Sequence, residues 1–324
     1  MANETAKFGL KDLSIVIPTY NRAKDLGETL KSLMPHLKEL GEIIIVDQSR
    51  SDETQVLIKK MKNKKIKYVF SQIPAITIAR NIGVKKCKKS SKLICFIDDD
   101  VDLGENYFSK ILEIFNTYKD AKAAAGYFTP EKIGSFDNIL RKIFLIRNLE
   151  KNSARIISAY GNTYPKNLTR VINAQWLPGV NMVYKKRVFE EQKFDENLLG
   201  YTIGEDIDFS YRLWKKYQDS VFITPFASIK HRASLAEREP TARMAYINQI
   251  DHFYFNFKNL NKGFIEKNLF AWSLFGISLL RLLNLVFKPS KNNYLKLKYF
   301  FKSLFYCLKN TKMIKAGKLR NFTA

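Results

Sequence analysis

Residues 93–100 read Leu-Ile-Cys-Phe-Ile-Asp-Asp-Asp, a run of five apolar residues followed directly by three carboxylates. The apolar run has the length and composition of a strand that is buried on both faces of a sheet. Three adjacent carboxylates repel one another, and a divalent cation removes that repulsion. Carboxylate oxygens are the ligands that Mg²⁺ and Mn²⁺ prefer. The stretch therefore predicts a buried strand that ends at a metal site, the alternative being a solvated acidic turn.

Three further apolar runs precede this strand and alternate with helix-like segments. Strands are predicted at residues 14–18, 42–46 and 67–70, and helices at residues 23–37, 52–61 and 76–88. Buried strands separated by helices are typical of a parallel sheet covered on both faces, where ligands bind at the carboxyl ends of the strands. Polar residues that follow the strands should therefore meet the acidic triplet at one sheet edge.

Four motifs in order resemble the family 2 glycosyltransferases of GT-A fold. They are residues 14–22 (Ser-Ile-Val-Ile-Pro-Thr-Tyr-Asn-Arg), 45–47 (Ile-Val-Asp), 79–83 (Ala-Arg-Asn-Ile-Gly) and 96–100 (Phe-Ile-Asp-Asp-Asp). The resemblance covers about residues 13–234. It implies an α/β fold with a Rossmann-like, mostly parallel sheet flanked by helices. It also implies inverting transfer of a sugar from a nucleotide-sugar donor to a hydroxyl acceptor.

The resemblance also implies roles for single residues on the donor side. Thr19 and Tyr20 would line the base pocket, and Asp47 would hydrogen-bond the base, although a helix cap or chance explains Asp47 alone equally well. Arg80 would contact the donor near its ribose and phosphates, and Asp98 would lie near the ribose. Departures from the family pattern at residues 48–52 and 74–75 leave the base and the donor sugar undetermined. The other residues expected to bind substrate are Pro18, Asn21, Asp99, Trp176 and Gly179.

The metal implied by the resemblance is Mn²⁺ or Mg²⁺, bridging the donor diphosphate. Asp100 would be its main ligand, joined by Asp98 and by His231, one of three histidines in the chain. His231 follows a strand predicted over residues 221–229. A lone histidine is more often structural, so that alternative stays open for His231. Arg232 is a weaker candidate for a phosphate contact.

A second acidic cluster supplies the expected catalytic base. Residues 176–182 look like the family's acceptor-side strand, and Glu205 with Asp206 resembles the pair that begins a helix and provides the base. A hydroxyl that attacks an anomeric carbon must lose its proton as the bond forms, and inversion requires a base opposite the leaving nucleotide. We expect Asp206 to be the base, with Glu205 the next choice. The alternative is that these acids only favour the positive N-terminus of the helix.

The net charge of +24 is concentrated near the end of the chain. Residues 256–324 contain 14 Lys and Arg and one acid, Glu266. Residues 269–287 carry the single charge Arg281 and are long enough to span a membrane, or they form a core helix packed on the catalytic domain. Residues 294–308 place lysines beside a broad Leu and Phe face, which is typical of a helix that lies in the membrane interface.

These patterns predict a GT-A domain over residues 1–239, with a nucleotide-binding half at 13–127 and an acceptor half at 128–239. A helical, basic extension over residues 240–324 would hold the enzyme peripherally on the cytoplasmic face of the cell membrane through anionic lipids. A single spanning helix is the less favoured form of attachment. The acceptor would be a lipid-linked or membrane-proximal glycan in a cell-surface polysaccharide or protein glycosylation pathway.

Other classes of protein fit the sequence less well. Three dispersed cysteines without a CxxC pair fit a reducing compartment, and the polar first 13 residues predict no cleaved signal. A nucleotidyltransferase would need a Gly-rich phosphate loop, which the sequence lacks. A non-enzymatic nucleic-acid- or membrane-binding protein would explain the basic charge but not the acidic clusters. No nucleic-acid partner is therefore expected.

Overall fold

The computed structural model describes residues 7–158, 160–234, 240–260 and 263–319. Within these ranges the strands lie in three sheets. Their bounds are β1 Leu13–Thr19, β2 Glu42–Asp47, β3 Ile66–Phe70, β4 Leu93–Ile97, β5 Val101–Leu103, β6 Ala123–Gly126, β7 Asn148–Glu150, β8 Thr163–Pro165, β9 Ile172–Asn173, β10 Asn181–Lys185, β11 Val221–Thr224 and β12 Ile229–His231.

The largest sheet has eight strands in the order β3-β2-β1-β4-β10-β6-β11-β9. The first four strands of this order are parallel neighbours, and β6 is parallel to β11. Strand β10 runs antiparallel between β4 and β6, and β9 runs antiparallel to β11. Six of the eight strands therefore point the same way, so the prediction of a mostly parallel α/β sheet is confirmed.

Helices cover both faces of this sheet and form most of the last part of the chain. The α-helices are α1 Ala23–Leu33, α2 Glu53–Met61, α3 Ile76–Lys86, α4 Tyr107–Thr117, α5 Ser135–Ile143, α6 Val188–Glu191, α7 Glu205–Lys216, α8 Thr241–Phe255, α9 Phe264–Phe287, α10 Lys291–Lys309 and α11 Thr311–Lys315. Short 3₁₀ helices lie at Leu10–Asp12 and Met34–His36, and a π-helical turn at Asn256–Leu260 follows α8.

Two proline residues changed the expected elements. The helix predicted over residues 23–37 ends at Leu33, and Pro35 lies in the 3₁₀ turn that follows, because proline cannot donate the backbone hydrogen bond of an α-helix interior. The strand predicted over residues 221–229 is two strands, β11 and β12, with Pro225 between them. Strand β12 pairs with β5 rather than with the large sheet.

Two hydrophobic clusters, one on each face of the sheet, hold the helices at fixed positions. Alternate residues of β1 point to opposite clusters, with Ile15 and Ile17 on one face and Val16 on the other. On the Val16 face, α3 packs so closely that a Cβ at Gly83 would lie 2.2 Å from a Val16 methyl carbon. Each fully buried aliphatic side chain contributes about 1.5–3 kcal/mol. This packing fixes α3, and with it Arg80, beside the carboxyl ends of the strands.

The last four helices pack on the rest of the protein through a third cluster. Tyr160 and Leu198 from the preceding part of the chain meet Ile250, Phe253 and Phe270 in that cluster. The prediction that residues 240–324 form a separate extension is not tested by this packing. The predicted boundary between the two domains, at residue 239, falls within 235–239, which the structure does not describe.

Helix α9 is long and apolar enough to cross a membrane, the one helix of the described residues that meets this description. Its buried residues are Phe270, Ser273 and Gly276, so most of its apolar surface is exposed and it is not a core helix. The broad apolar face predicted for residues 294–308 is divided between two environments. Phe300 is buried in the protein, whereas Phe301 is exposed.

Candidate active site

A cavity of about 1360 Å³ opens at the carboxyl ends of β1 and β4 and extends toward the N-terminus of α7. Parallel strands place the residues that follow them at this edge, where backbone and side-chain polar groups are free to meet a ligand. Most of the residues predicted for the site line the cavity. They are Pro18, Thr19, Tyr20, Arg80, Asp98, Asp99, Asp100, Trp176, Gly179, Glu205, Asp206 and His231.

Two predicted substrate residues, Asn21 and Asp47, do not line this cavity. The buried Asp47 carboxylate accepts hydrogen bonds from the backbone N–H of Ser49 and from the Tyr68 hydroxyl, both at 2.9 Å. Asn21 has a φ of 53°, and its side-chain oxygen accepts a hydrogen bond from the backbone N–H of Arg50 at 2.9 Å. Both side chains therefore position the loop after β2, and their contacts with the base remain predictions.

Asp99 differs from its two neighbours because its carboxylate points toward β1 and α1. It accepts a hydrogen bond from the Thr19 hydroxyl at 2.7 Å and forms a 3.4 Å ion pair with Arg22. Burial raises the pKa of Asp99 to about 7, although the Thr19 hydrogen bond and the Arg22 charge oppose this rise. Asp99 therefore connects the end of β4 to the end of β1. Arg22 also lines the cavity, and it was not predicted from the sequence to be functional.

Asp98 and Asp100 are the two residues of the acidic triplet that could bind a cation in the cavity. Burial raises the pKa of Asp98 to about 6 against the opposing charge of Arg80, and the neighbouring Asp100 adds to the rise. The pKa of Asp100 is lowered, because its hydrogen bonds and the charge of His231 outweigh its burial. Its two oxygens lie 3.0 Å from the His231 Nε2 and from the backbone nitrogen of Ser234.

Asp98, Asp100 and His231 can hold a divalent cation. Each offers one ligand atom, and these atoms lie within 4.8 Å of one another. His231 reaches this position because β12 pairs with β5, the strand that follows the acidic triplet, and places His231 opposite Val101. Two carboxylates and one imidazole suit a divalent metal. The structure thus brings together the three ligands predicted from the sequence.

Arg80 forms a buried ion pair instead of projecting freely into the cavity. Its side chain is 1% exposed, its Nη1 donates to the Glu205 carboxylate at 2.8 Å, and its Nη2 lies 3.6 Å from Asp98. The Nη2 atom also donates to the Gly179 carbonyl at 3.2 Å. Burial raises the pKa of Glu205 to about 7, and the neighbouring Asp206 adds to this rise while Arg80 opposes it. Arg80 therefore links the two acidic clusters.

Asp206 lies in the first turn of α7 with its carboxylate facing the cavity. Gly204 precedes the helix with a φ of 94°, a left-handed conformation that glycine adopts without strain. The Asp206 carboxylate accepts hydrogen bonds from the backbone N–H groups of Gly179 at 2.6 Å and Ile207 at 2.8 Å. These bonds fix the carboxylate in the cavity wall. Its partners are neutral, in contrast to the Arg80 partner of Glu205.

Arg232, the weaker phosphate candidate, has a different environment. Its guanidinium donates to the Val101 carbonyl at 2.9 Å and to the Thr29 hydroxyl at 2.7 Å, and it forms an ion pair with Asp102. These contacts connect α1 to β5. Arg232 therefore does not line the cavity, and it stabilises the segment that follows the acidic triplet.

Comparisons with known proteins identify the family that this chain is similar to. A family model described as "Glycosyl transferase family 2" matches residues 14–193. An uncharacterized glycosyltransferase of Rickettsia bellii is 34% identical over 210 residues, which are 64% of this chain and 27% of that protein. A Campylobacter jejuni GalNAc(5)-diNAcBac-PP-undecaprenol beta-1,3-glucosyltransferase is 26% identical over 191 residues, which are 58% of this chain and 56% of that protein. The match thus spans about a quarter of one relative and about half of the other.

A solved structure shows the same fold. The crystal structure of GalNAc-T7 with UDP, GalNAc and Mn²⁺ superposes with a TM-score of 0.54 and 16% sequence identity. The superposition covers 92% of this chain and 58% of that chain. At this identity the similarity concerns the fold alone.

Proposed function

The chain belongs to glycosyl transferase family 2, and we propose that it is an inverting, metal-dependent glycosyltransferase with a lipid-linked or membrane-proximal glycan as acceptor. One observation carries the proposal. A single cavity contains both the Asp98, Asp100 and His231 ligand set and the fixed carboxylate of Asp206. A metal-bound leaving group and a base for the acceptor are the two components that such a transfer needs.

The nucleotide sugar would bind at the ends of β1 and β4. Thr19 and Tyr20 line this part of the cavity, together with Gln48 and Arg50 from the loop after β2. Asp98, Asp100 and His231 would hold Mn²⁺ or Mg²⁺ there. When bound, that cation would offset the negative charge of the diphosphate leaving group.

Asp206 would act on the acceptor. As the acceptor oxygen forms its bond with the anomeric carbon, the bond from that carbon to the diphosphate oxygen breaks, and the nucleoside diphosphate leaves. The acceptor proton passes to the Asp206 carboxylate, whose orientation the Gly179 and Ile207 amides maintain. Glu205 is the second choice for this role because its carboxylate already accepts a hydrogen bond from Arg80.

The basic helices would place the enzyme on the cytoplasmic face of an anionic membrane. The Campylobacter relative is named for an undecaprenol-linked substrate, which supports a lipid-linked acceptor here. Polar contacts along α9 favour a helix that lies on the protein over one that crosses the bilayer. The Ser273 hydroxyl lies 2.9 Å from that of Ser158, and Arg281 donates to the Lys296 carbonyl of α10 at 3.3 Å.

A thermal-shift experiment with nucleotide sugars tests the metal site. We expect one nucleotide sugar with Mn²⁺ to raise the Tm, since a ligand at 100 times its Kd stabilises by about 2.7 kcal/mol. EDTA or Asp100→Asn should remove most of that increase, whereas the exposed carboxylate variant Asp120→Asn should retain it. An equal increase in the presence of EDTA would contradict a metal-dependent donor site.

A vesicle-binding experiment tests membrane attachment through α10. Phe301 and Phe305 are exposed, and removing both from a membrane interface should weaken binding to vesicles that contain phosphatidylglycerol by at least roughly tenfold. The variant Phe301→Glu/Phe305→Glu is compared with Phe70→Glu, which changes an exposed phenylalanine on β3. Co-sedimentation reports binding, and an unchanged Tm shows that folding is intact. Equal binding by both variants would rule out this helix as the attachment surface.

A further inference from the structure

Helix α5 presents apolar side chains outward without contributing to a core. None of its nine residues is buried, and Phe136, Ile139 and Ile143 are 70%, 55% and 52% exposed. Their spacing of three and four residues places them on one side of the helix. Isolated helices of this length are not stable in water. Two hydrogen bonds between the Asn138 side chain and the backbone of Leu149, at 2.8 and 3.0 Å, hold α5 in place.

Helix α9 extends this surface. The Trp272 indole N–H donates to the Ile143 carbonyl at 2.7 Å, and the Trp272 ring stacks on Phe275 at a centroid distance of 5.8 Å. Both aromatic residues are exposed. We call this surface the α5–α9 apolar face; its residues are Phe136, Ile139, Ile143, Trp272 and Phe275.

Two arginines at and after α5 line the cavity, Arg141 and Arg147. The Arg141 Nη1 donates a hydrogen bond to the Arg147 carbonyl at 3.5 Å. Neither forms a salt bridge with a described residue, and the buried Arg141 Nε has no hydrogen-bond partner there. Burial lowers the pKa of Arg141, and the positive charge of Arg147 also lowers it, against the opposing charge of Asp137. Guanidinium groups without a carboxylate partner are suited to bind phosphate oxygens.

The two arginines lie on the acceptor side of the cavity. The Arg147 guanidinium carbon is 5.7 Å from the centroid of the Trp176 ring. Gly179 follows Trp176 by three residues, and its backbone N–H donates a hydrogen bond to the Asp206 carboxylate. An anion bound at Arg141 and Arg147 would therefore lie on the side of the proposed base, apart from the Asp98, Asp100 and His231 ligand set.

We propose that Arg141 and Arg147 bind the phosphate or diphosphate group of a lipid-linked acceptor, whose apolar chain lies against the α5–α9 apolar face at the membrane surface. Arg141 lies on the side of α5 opposite Phe136, Ile139 and Ile143, which matches a ligand with an anionic group next to a long apolar chain. A soluble nucleotide would use the arginines but not the apolar face. This inference rests on the proposed function and identifies the acceptor class and its binding residues.

Binding of the full chain to vesicles of defined composition tests the inference. The probes are phosphatidylcholine vesicles, the same vesicles with a polyisoprenyl diphosphate, and the same vesicles with phosphatidylglycerol at equal total charge. We expect the wild-type chain to prefer the polyisoprenyl diphosphate vesicles. Arg141→Gln/Arg147→Gln should reduce that preference at least roughly tenfold, and the exposed-arginine control Arg170→Gln/Arg187→Gln should retain it. Retained preference in the first variant overturns the proposal.

Two further measurements separate the alternatives. If Arg141→Gln/Arg147→Gln weakens binding to the diphosphate and phosphatidylglycerol vesicles equally, the arginines bind membrane headgroups and the proposal is wrong. Phe136→Ser/Ile139→Ser should weaken binding to the polyisoprenyl diphosphate but leave the Tm response to inorganic pyrophosphate unchanged; unchanged lipid binding would overturn the role of the apolar face. The variant Arg147→Gln alone, at an exposed position, serves as the test if the double variant does not fold.

The nucleotide-sugar response distinguishes this inference from the proposed function. If the inference alone is wrong, the Tm increase with Mn²⁺ and a nucleotide sugar persists while the preference for polyisoprenyl diphosphate is missing. If the proposed function is wrong, no nucleotide sugar raises the Tm of the wild-type chain. Both results are obtained on the same protein preparation.

Discussion

Asp206→Asn is expected to reduce the rate of sugar transfer by about 10²–10⁴-fold, the contribution of a general base. The substitution keeps the shape of the side chain and its oxygen, so the 2.6 Å hydrogen bond from the Gly179 N–H can persist. An amide cannot accept the acceptor proton at neutral pH. The loss should therefore appear in kcat, while the Kd for the nucleotide sugar, measured by calorimetry, stays close to that of the wild-type chain.

Glu205→Gln is the matched comparison for this experiment. Its amide oxygen can still accept the hydrogen bond from Arg80, but the buried negative charge is lost. If Asp206 is the base, Glu205→Gln should retain substantially more turnover than Asp206→Asn. The reverse order of activities would assign the base to Glu205, and full turnover by Asp206→Asn would exclude Asp206.

Local sequence patterns were sufficient to predict the first four strands of the large sheet. Strands β1, β2 and β4 each contain a run of adjacent apolar residues, and their signal does not depend on distant residues. The acidic triplet was predictable for the same reason, because a residue that directly follows a buried strand must lie at the sheet edge. The predicted metal ligands thus come from the residues after one strand and from one histidine.

The remaining features depend on contacts that a linear pattern does not contain. Asp47 is the last residue of β2, but its carboxylate accepts a hydrogen bond from Tyr68 on the neighbouring strand and so does not line the cavity. In the same way, Phe300 and Phe301 are adjacent and equally apolar, yet α10 buries one and exposes the other. Arg141 was not predicted to be functional because most of the residues that line the cavity with it are distant in sequence.

Arg80→Met is expected to destabilise the protein by about 3–5 kcal/mol, the cost of breaking a buried ion pair by removing one partner. Arg80 is the cation that pairs with the buried Glu205 carboxylate. Without it, that carboxylate would still be repelled by the neighbouring Asp206 carboxylate. Urea unfolding at pH 8 measures the loss. Adding Glu205→Gln to Arg80→Met should recover much of the stability, because it removes the unpaired charge. A double variant that is as unstable as Arg80→Met alone would contradict the ion-pair explanation.

The destabilisation by Arg80→Met should depend on pH in a defined direction. Burial already raises the pKa of Glu205 to about 7 in the wild-type chain, and the loss of the Arg80 charge, which opposes that rise, should raise it further. The folded state then binds a proton that the unfolded state has released, so stability decreases as pH rises above the ordinary carboxyl range. The difference between Arg80→Met and wild type should therefore be smallest near pH 5 and largest above pH 7. A difference that is constant over this range would show that lost packing against Phe194, whose ring centroid lies 5.3 Å from the guanidinium carbon, accounts for the effect.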